Sequence, residues 1–259
     1  MVTLTEAILL GVIQGLTEWL PVSSSGHLAV TQQLLHLEVP VIFDLCLHVG
    51  TLISVTYLLR TEVTQLVKAL ARGDFKSREG VFVVNILLGG LSTALIALLL
   101  HNVITAAFTS LLVIGAGFAG TGLFLFLSKT RRGTADLAPH HALLIGLAQG
   151  IAILPGVSRS GVTISTGLIL GVDRDTAVKY SFLLSIPTIL VATMLDLRDI
   201  QTYQVDIVSL LVGVGVSAIV GYVSLKALTK IVHKRNGVSL FAPYCWALSA
   251  LLIGTVMAS

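Results

Sequence analysis

The residues able to do chemistry are confined to two short stretches. In residues 9–28 an amide and an acid, Gln14 and Glu18, precede Pro21, and Ser23, Ser24, Ser25, Gly26 and His27 follow it. In residues 143–163 the pair Pro155-Gly156 is followed by Ser158, Arg159, Ser160, Gly161 and Thr163. Gln14 and Glu18 are one helical turn apart, so they project from one face. Serine is a favoured helix N-cap. A helix that begins at Ser23 or Ser158 presents free N–H groups and a partial positive charge, and both attract anions. Arg159 adds a planar fork that grips two phosphate oxygens at once. Gly26 and Gly161 permit close backbone approach. Two such helix starts converging form a cradle for phosphate or pyrophosphate.

The two stretches are copies of one another. With a constant offset of 135, residues 9–26 match 144–161 at Leu9, Gly11, Gln14, Gly15, Val22, Ser23, Ser25 and Gly26. The chemistry differs within that shared frame. Glu18 faces Ile153 in the alignment, Ser24 faces Arg159, and His27 faces Val162. Acid and imidazole come from the first copy and guanidinium from the second.

The elements that position these residues follow from composition. The chain has 259 residues, 55% hydrophobic and 11% charged, where soluble domains carry about 25% charged residues. That deficit, with long apolar runs, specifies an all-α polytopic membrane protein. Six runs are long enough to span: 41–59, 81–101, 106–128, 176–196, 207–229 and 239–257. Residues 5–20 and 23–36 are shorter segments split at Pro21, and 141–154 and 158–171 are split at Pro155-Gly156. Interrupted segments at matching places in two halves predict re-entrant helix-loop-helix pairs in two repeats. The chain reads as one membrane domain, 1–259, with repeat one at 1–128, a cytoplasmic connection at 129–139 and repeat two at 140–259.

Charge gives the orientation. Twelve of the sixteen Lys and Arg lie in the 60–80, 129–139 and 226–238 connections. The 102–105 connection has none and 197–206 has only Arg198. The positive-inside rule places the three basic connections in the cytoplasm and both termini outside. The first broken pair then enters from outside and the second from inside, so the repeats are inverted. The 60–80 connection reads as an amphipathic interfacial helix with a turn at Gly73-Asp74. Arg60 is the first Lys or Arg, so the N-terminal stretch lacks the positive region of a signal peptide. Cys46 and Cys245 lie in apolar runs and read as buried small hydrophobes. His36, His48, His101, His140, His141 and His233 share no motif and read as structural. The net charge of +3 calls for no nucleic-acid partner.

At these residues a resemblance enters. QGLTEWLPVSSSGH together with LPGVSRSGVTIS, and the later YSFLLSIP at residues 180–187, resembles the undecaprenyl-diphosphate phosphatase family, also called the bacitracin-resistance protein family. The likeness spans essentially the whole chain. The family's Glu-or-Gln, three residues, Glu pattern maps to Gln14 and Glu18. Its serine-rich stretch and histidine map to Ser23, Ser24, Ser25 and His27, and its second motif to Pro155, Gly156, Ser158, Arg159, Ser160 and Gly161. Many members have glutamate where Gln14 stands and threonine where Ser25 stands. The resemblance implies hydrolysis of a polyprenyl diphosphate lipid to its monophosphate at the cell membrane, tolerance of bacitracin, and a divalent cation such as Mg or Ca. Glu18 would bind that ion or act as base, and Arg159 would stabilise charge on the transferred phosphoryl group. Gln14, Ser23, Ser25, Gly26, Ser158, Ser160, Gly161 and Thr163 would contact substrate. Three attacking groups stand open: Ser24 with His27 as base, His27 itself, and a water held by Glu18. The acid and histidine sit on the outside-entering pair, so the site is expected to face the extracytoplasmic side. Self-association is left open. The rival reading is a transporter or flippase of a polyprenyl phosphate lipid, because inverted repeats with broken helices are a transporter architecture. A structural membrane subunit would leave Arg159 and Glu18 unexplained.

Overall fold

The computed structural model describes residues 2–129, 133–196, 206–234 and 237–258, with backbone alone at 101–106 and 195–196. Among these residues the chain forms eleven α-helices: α1 Leu4–Trp19, α2 Ser24–Leu34, α3 Val41–Leu58, α4 Arg60–Arg72, α5 Arg78–Ala107, α6 Leu111–Leu127, α7 Pro139–Ile151, α8 Arg159–Ile169, α9 Arg174–Asp196, α10 Ile207–Val232 and α11 Ala242–Ala258. Five apolar stretches of 18 to 26 residues, in α3, α5, α9, α10 and Gly237–Ala258, are long enough to cross a bilayer, and α6 is a shorter apolar helix of 17 residues. The chain is an all-α polytopic membrane protein.

Local chemistry sets the helix limits. Thr3 and Glu6 form a capping box at the start of α1. Gly73, left-handed at φ 65°, ends α4, as the Gly73-Asp74 turn predicts. Asp74 Oδ1 then accepts from the Lys76 and Ser77 backbones, and Ser77 caps α5. One expected connection is displaced. Residues 102–105 continue α5, and the turn falls at 108–110, where Ser110 Oγ accepts from Val113 N and starts α6. An apolar run gives no signal for its own interruption, whereas the serine cap does. The expected 197–206 connection lies outside the described residues except Asp206, as do Arg131, Arg132 and Arg235.

The two repeats interlock. α1 packs along α10, and α7 along α5, so each broken pair lies against a spanning helix of the other repeat. Glycine makes this possible: a Cβ at Gly11 would sit 2.7 Å from the Gly213 carbonyl of α10, and one at Gly146 would overlap the Gly89 backbone of α5. The matched glutamines make equivalent contacts within their own repeats. Gln14 Nε2 lies 3.5 Å from Thr51 Oγ1 of α3, and Gln149 Nε2 donates to Thr188 of α9 at 3.1 Å.

The bases of the broken pairs lie at opposite ends of α3. Val2, Leu37 and Val39 pack with Phe43 at its start. The second pair closes through Ala135 N to Gly171 O and Asp173 N to Ala135 O. That base joins the basic end of the molecule: Arg174 donates to the Val232 carbonyl at 2.9 Å, and Lys179 pairs with Glu62 of α4 at 3.0 Å. The described parts of the three lysine- and arginine-rich connections therefore gather at one end.

Candidate active site

The breaks of the two pairs meet inside the bundle. Between Trp19 and Ser24, and between Ile151 and Arg159, the backbone leaves its helix. Ser160 Oγ donates to the Leu20 carbonyl at 3.4 Å, tying one break to the other. Thr121 of α6 donates to the Gly156 carbonyl at 3.0 Å and accepts from Ser158 N at 2.8 Å. A Cβ at Gly26 would lie 2.7 Å from the Phe118 ring and 2.9 Å from Gly156 Cα, so only glycine lets these tips touch.

Both second half-helices carry serine caps. Ser23 Oγ accepts from Gly26 N and Ser158 Oγ accepts from Gly161 N, and in each copy the two serine hydroxyls lie 3.4 Å apart. The copies differ in backbone. Ser158 has φ −76°, while Ser23 has φ 67°. Left-handed geometry in a residue with a Cβ is a strain that gathers at functional sites.

Glu18 is the hub. It is 7% exposed. Its Oε1 is ion-paired with Arg159, a contact across 141 residues of chain. Its Oε2 accepts from Ser24 Oγ at 2.5 Å and from Gln14 Nε2 at 3.0 Å. The Arg159 guanidinium lies over the Trp19 ring, 5.3 Å from its centroid, and Arg159 Nη1 is buried with no hydrogen-bond partner. The arginine thus holds one donor in reserve for an anion.

Ser24 therefore donates its hydroxyl hydrogen bond to Glu18. His27, which the sequence offers as the base for Ser24, has both ring nitrogens engaged elsewhere. Nδ1 lies 2.6 Å from the Ser23 carbonyl and Nε2 lies 2.7 Å from the Tyr244 hydroxyl.

The rest of the expected set divides by exposure. Ser24, Ser25, His27 and Arg159 are partly exposed. Gln14, Ser23, Gly26, Ser158, Ser160 and Gly161 are buried and form the frame. Thr163 is fully buried, donates to the Arg159 carbonyl and pairs with Ser181 Oγ at 2.6 Å, so it serves α8 itself.

The sequence reading missed His48, Thr51, Trp19 and Tyr244. His48 Nδ1 donates to the Asp44 carbonyl at 2.8 Å, and its Nε2 stands 3.6 Å from Glu18 Oε2. Its signal was present: Asp44, His48 and Thr51 fall at helical spacing on one face of an otherwise apolar span. Nothing marked Tyr244, which lies 217 residues from its partner. His141 caps α7 by accepting from Ala138 N, and His233 lies 3.3 Å from Asp175. The His101 side chain lies outside the described residues.

Fold and site together define a class: a polytopic helical membrane protein whose two interlocked broken-helix pairs bring acid, hydroxyl and guanidinium into contact, with His27 one turn beyond Ser24. Comparison with known sequences narrows it. Residues 7–251 match the family model described as bacitracin resistance protein BacA, and the chain belongs to that family. It is 40% identical to an undecaprenyl-diphosphatase of Desulforapulum autotrophicum over 96% of this chain and 97% of the relative. It is 35% identical to one of Methanosphaera stadtmanae over 98% of each, and 37% identical to one of Halothermothrix orenii over 96% of each.

Proposed function

We propose that this protein hydrolyses undecaprenyl diphosphate to undecaprenyl monophosphate and inorganic phosphate. The observation that carries the reading is the sharing of Glu18 between the Ser24 hydroxyl and the Arg159 guanidinium. In that arrangement one carboxylate accepts the nucleophile's proton and holds the phosphate-binding arginine in waiting. The diphosphate head takes over Arg159, whose spare Nη1 offers a second donor. Ser24 Oγ attacks the terminal phosphorus, its proton passes to Glu18, and the bridging P–O bond breaks to release the monophosphate. Ser24 lies in the first turn of α2, where backbone N–H groups stabilise negative charge. Water then attacks the phosphoserine, His27 takes a water proton, the Oγ–P bond breaks and Glu18 returns its proton to Ser24.

The residues fit a divalent ion that arrives with the diphosphate. Among the described residues no three His, Cys, Asp or Glu side chains group to hold a metal alone. Glu18 is one carboxylate, and the buried Gln14 Oε1 beside it has no partner. One or two carboxylates plus phosphate oxygens is the usual setting for Mg²⁺. Glu18 and Gln14 would hold the ion, which supplies neutralisation of phosphate charge when bound.

Hydrolysis rather than carriage is supported by asymmetry in a matched frame. The caps and glutamines are duplicated, whereas Glu18, Ser24 and His27 are met by Ile153, Arg159 and Val162. A carrier needs the cradle and not the acid–base set. The basic end of the molecule supports a site entered from the extracytoplasmic face of the cell membrane. The reading is tested by phosphate release from undecaprenyl diphosphate by purified protein in detergent, with and without chelator. Turnover supports it, and substrate binding without phosphate release in either condition overturns it.

A further inference from the structure

His27 is held from three directions. Its Nδ1 faces the Ser23 carbonyl at 2.6 Å. A carbonyl only accepts, so Nδ1 carries the hydrogen, and in the neutral ring Nε2 is the accepting nitrogen. The Tyr244 hydroxyl lies 2.7 Å from that nitrogen and donates to it. The two rings are parallel to within 3°, with centroids 5.8 Å apart, while the edge of Phe118 stands at 89° and 5.2 Å.

Two further observations tie this arrangement to chemistry. The carbonyl that orients the imidazole belongs to Ser23, whose φ of 67° is strained. The matching Ser158 is relaxed at −76°, and valine stands where the imidazole would be. Strain is thus present in the copy that has a histidine to orient and absent from the other. Tyr244 itself is 48% exposed on a membrane-spanning helix, among the apolar neighbours Leu248 and Leu251. A hydroxyl on a membrane-spanning helix needs a partner within the protein, and its partner is His27.

We infer that Tyr244 is a catalytic residue for the second half of the reaction: its hydroxyl fixes the His27 imidazole with Nε2 as the accepting nitrogen and passes the proton of the attacking water to it. This rests on the hydrolytic reading above, in which His27 takes a water proton after Ser24 has been phosphorylated: the Tyr244 oxygen takes that proton as the phenol hydrogen moves to Nε2, so the hydroxyl is restored. Tyr244 belongs to the second repeat and His27 to the first, so the contact also joins the two halves at the edge of the site. Without the phenol hydroxyl the imidazole keeps its Ser23 bond and its Phe118 wall but loses the donor on Nε2.

The test compares wild type, Tyr244→Phe, His27→Ala and the double variant in detergent. Tyr244→Phe keeps the ring and removes one oxygen. We expect kcat to fall on the order of 10- to 100-fold, the scale of losing orientation at a reacting group, with KM within about twofold. In the His27→Ala background the same change should have no further effect. A contact that only supports the fold would give additive losses and a changed KM, and that result overturns the assignment. A second readout is independent of turnover. In selectively ¹⁵N-histidine-labelled protein, the Nε2 resonance absent from His27→Ala should move in Tyr244→Phe as it loses its donor. An unmoved resonance overturns the inference even in an active enzyme, whereas inactive wild-type protein with a moved resonance overturns only the hydrolytic reading.

Discussion

The Ser24 hydroxyl donates to Glu18 Oε2 at 2.5 Å across the break at Pro21, so the first broken helix pair closes on itself through a hydroxyl and an acid. The second pair enters the same point through Arg159 on the other carboxylate oxygen. Neither repeat contains the full set, and the site exists only because the repeats interlock.

Arg159→Lys tests the guanidinium. The lysine keeps a positive charge beside Glu18, so purified variant should fold and elute as wild type. A point charge does not reproduce a two-oxygen fork, and kcat should fall by about 10² to 10³. Turnover near wild type would make Arg159 a structural partner of Glu18 alone.

Glu18→Gln removes the acceptor for Ser24 and leaves Arg159 without its counter-charge. Breaking a buried ion pair from one side costs about 3–5 kcal/mol, so the variant should melt at lower temperature as well as lose activity. Ser24→Ala should leave the melting temperature near wild type while abolishing most turnover. If the two variants behave alike in thermal melts, the stabilising part assigned to the Glu18–Arg159 pair is wrong.

Much of this was legible in the chain. The matched stretches at an offset of 135 gave the two breaks, and lysine and arginine placement gave the end at which the connections gather. Serine caps and Gly73 gave helix limits, because those signals act within one turn of backbone. What stayed hidden required contacts between distant elements. Tyr244 meets His27 only after α11 has packed beside α2, and sequence spacing carries no trace of it. His48 was half visible, since its spacing from Asp44 and Thr51 gave a polar face but not what that face meets. Ser24 and His27 share a helix turn, which suggested a pair, yet Glu18 reaches Ser24 because the chain folds back at Pro21.

Gly26→Ala tests the meeting of the tips. A Cβ there would lie 2.7 Å from the Phe118 ring and 2.9 Å from Gly156 Cα, whereas at Gly161 the nearest atom is 3.1 Å away. Overpacking of this kind costs about 1–3 kcal/mol. Gly26→Ala should lower both the melting temperature and kcat, and Gly161→Ala should do less of each. Equal effects would mean that the tips are not held as tightly as described.

Orientation is open to labelling. In a variant with Cys46 and Cys245 replaced by serine, a cysteine introduced at exposed Glu38 should react with an impermeant thiol reagent added outside intact cells, and one at exposed Lys76 should not. The reverse pattern would turn the molecule over and move the site's entrance to the cytoplasmic face.

The central claim is that Ser24 attacks and Glu18 receives its proton. It is tested most directly by rapid quench with substrate labelled in the terminal phosphate, in wild type and in His27→Ala, where removal of the second base should let the intermediate accumulate. The account predicts an acid-stable phosphoserine at Ser24, formed within one turnover and absent from Ser24→Ala. An acid-labile adduct on His27 in wild type, or a Ser24→Ala variant that still turns over at close to the full rate, would contradict it.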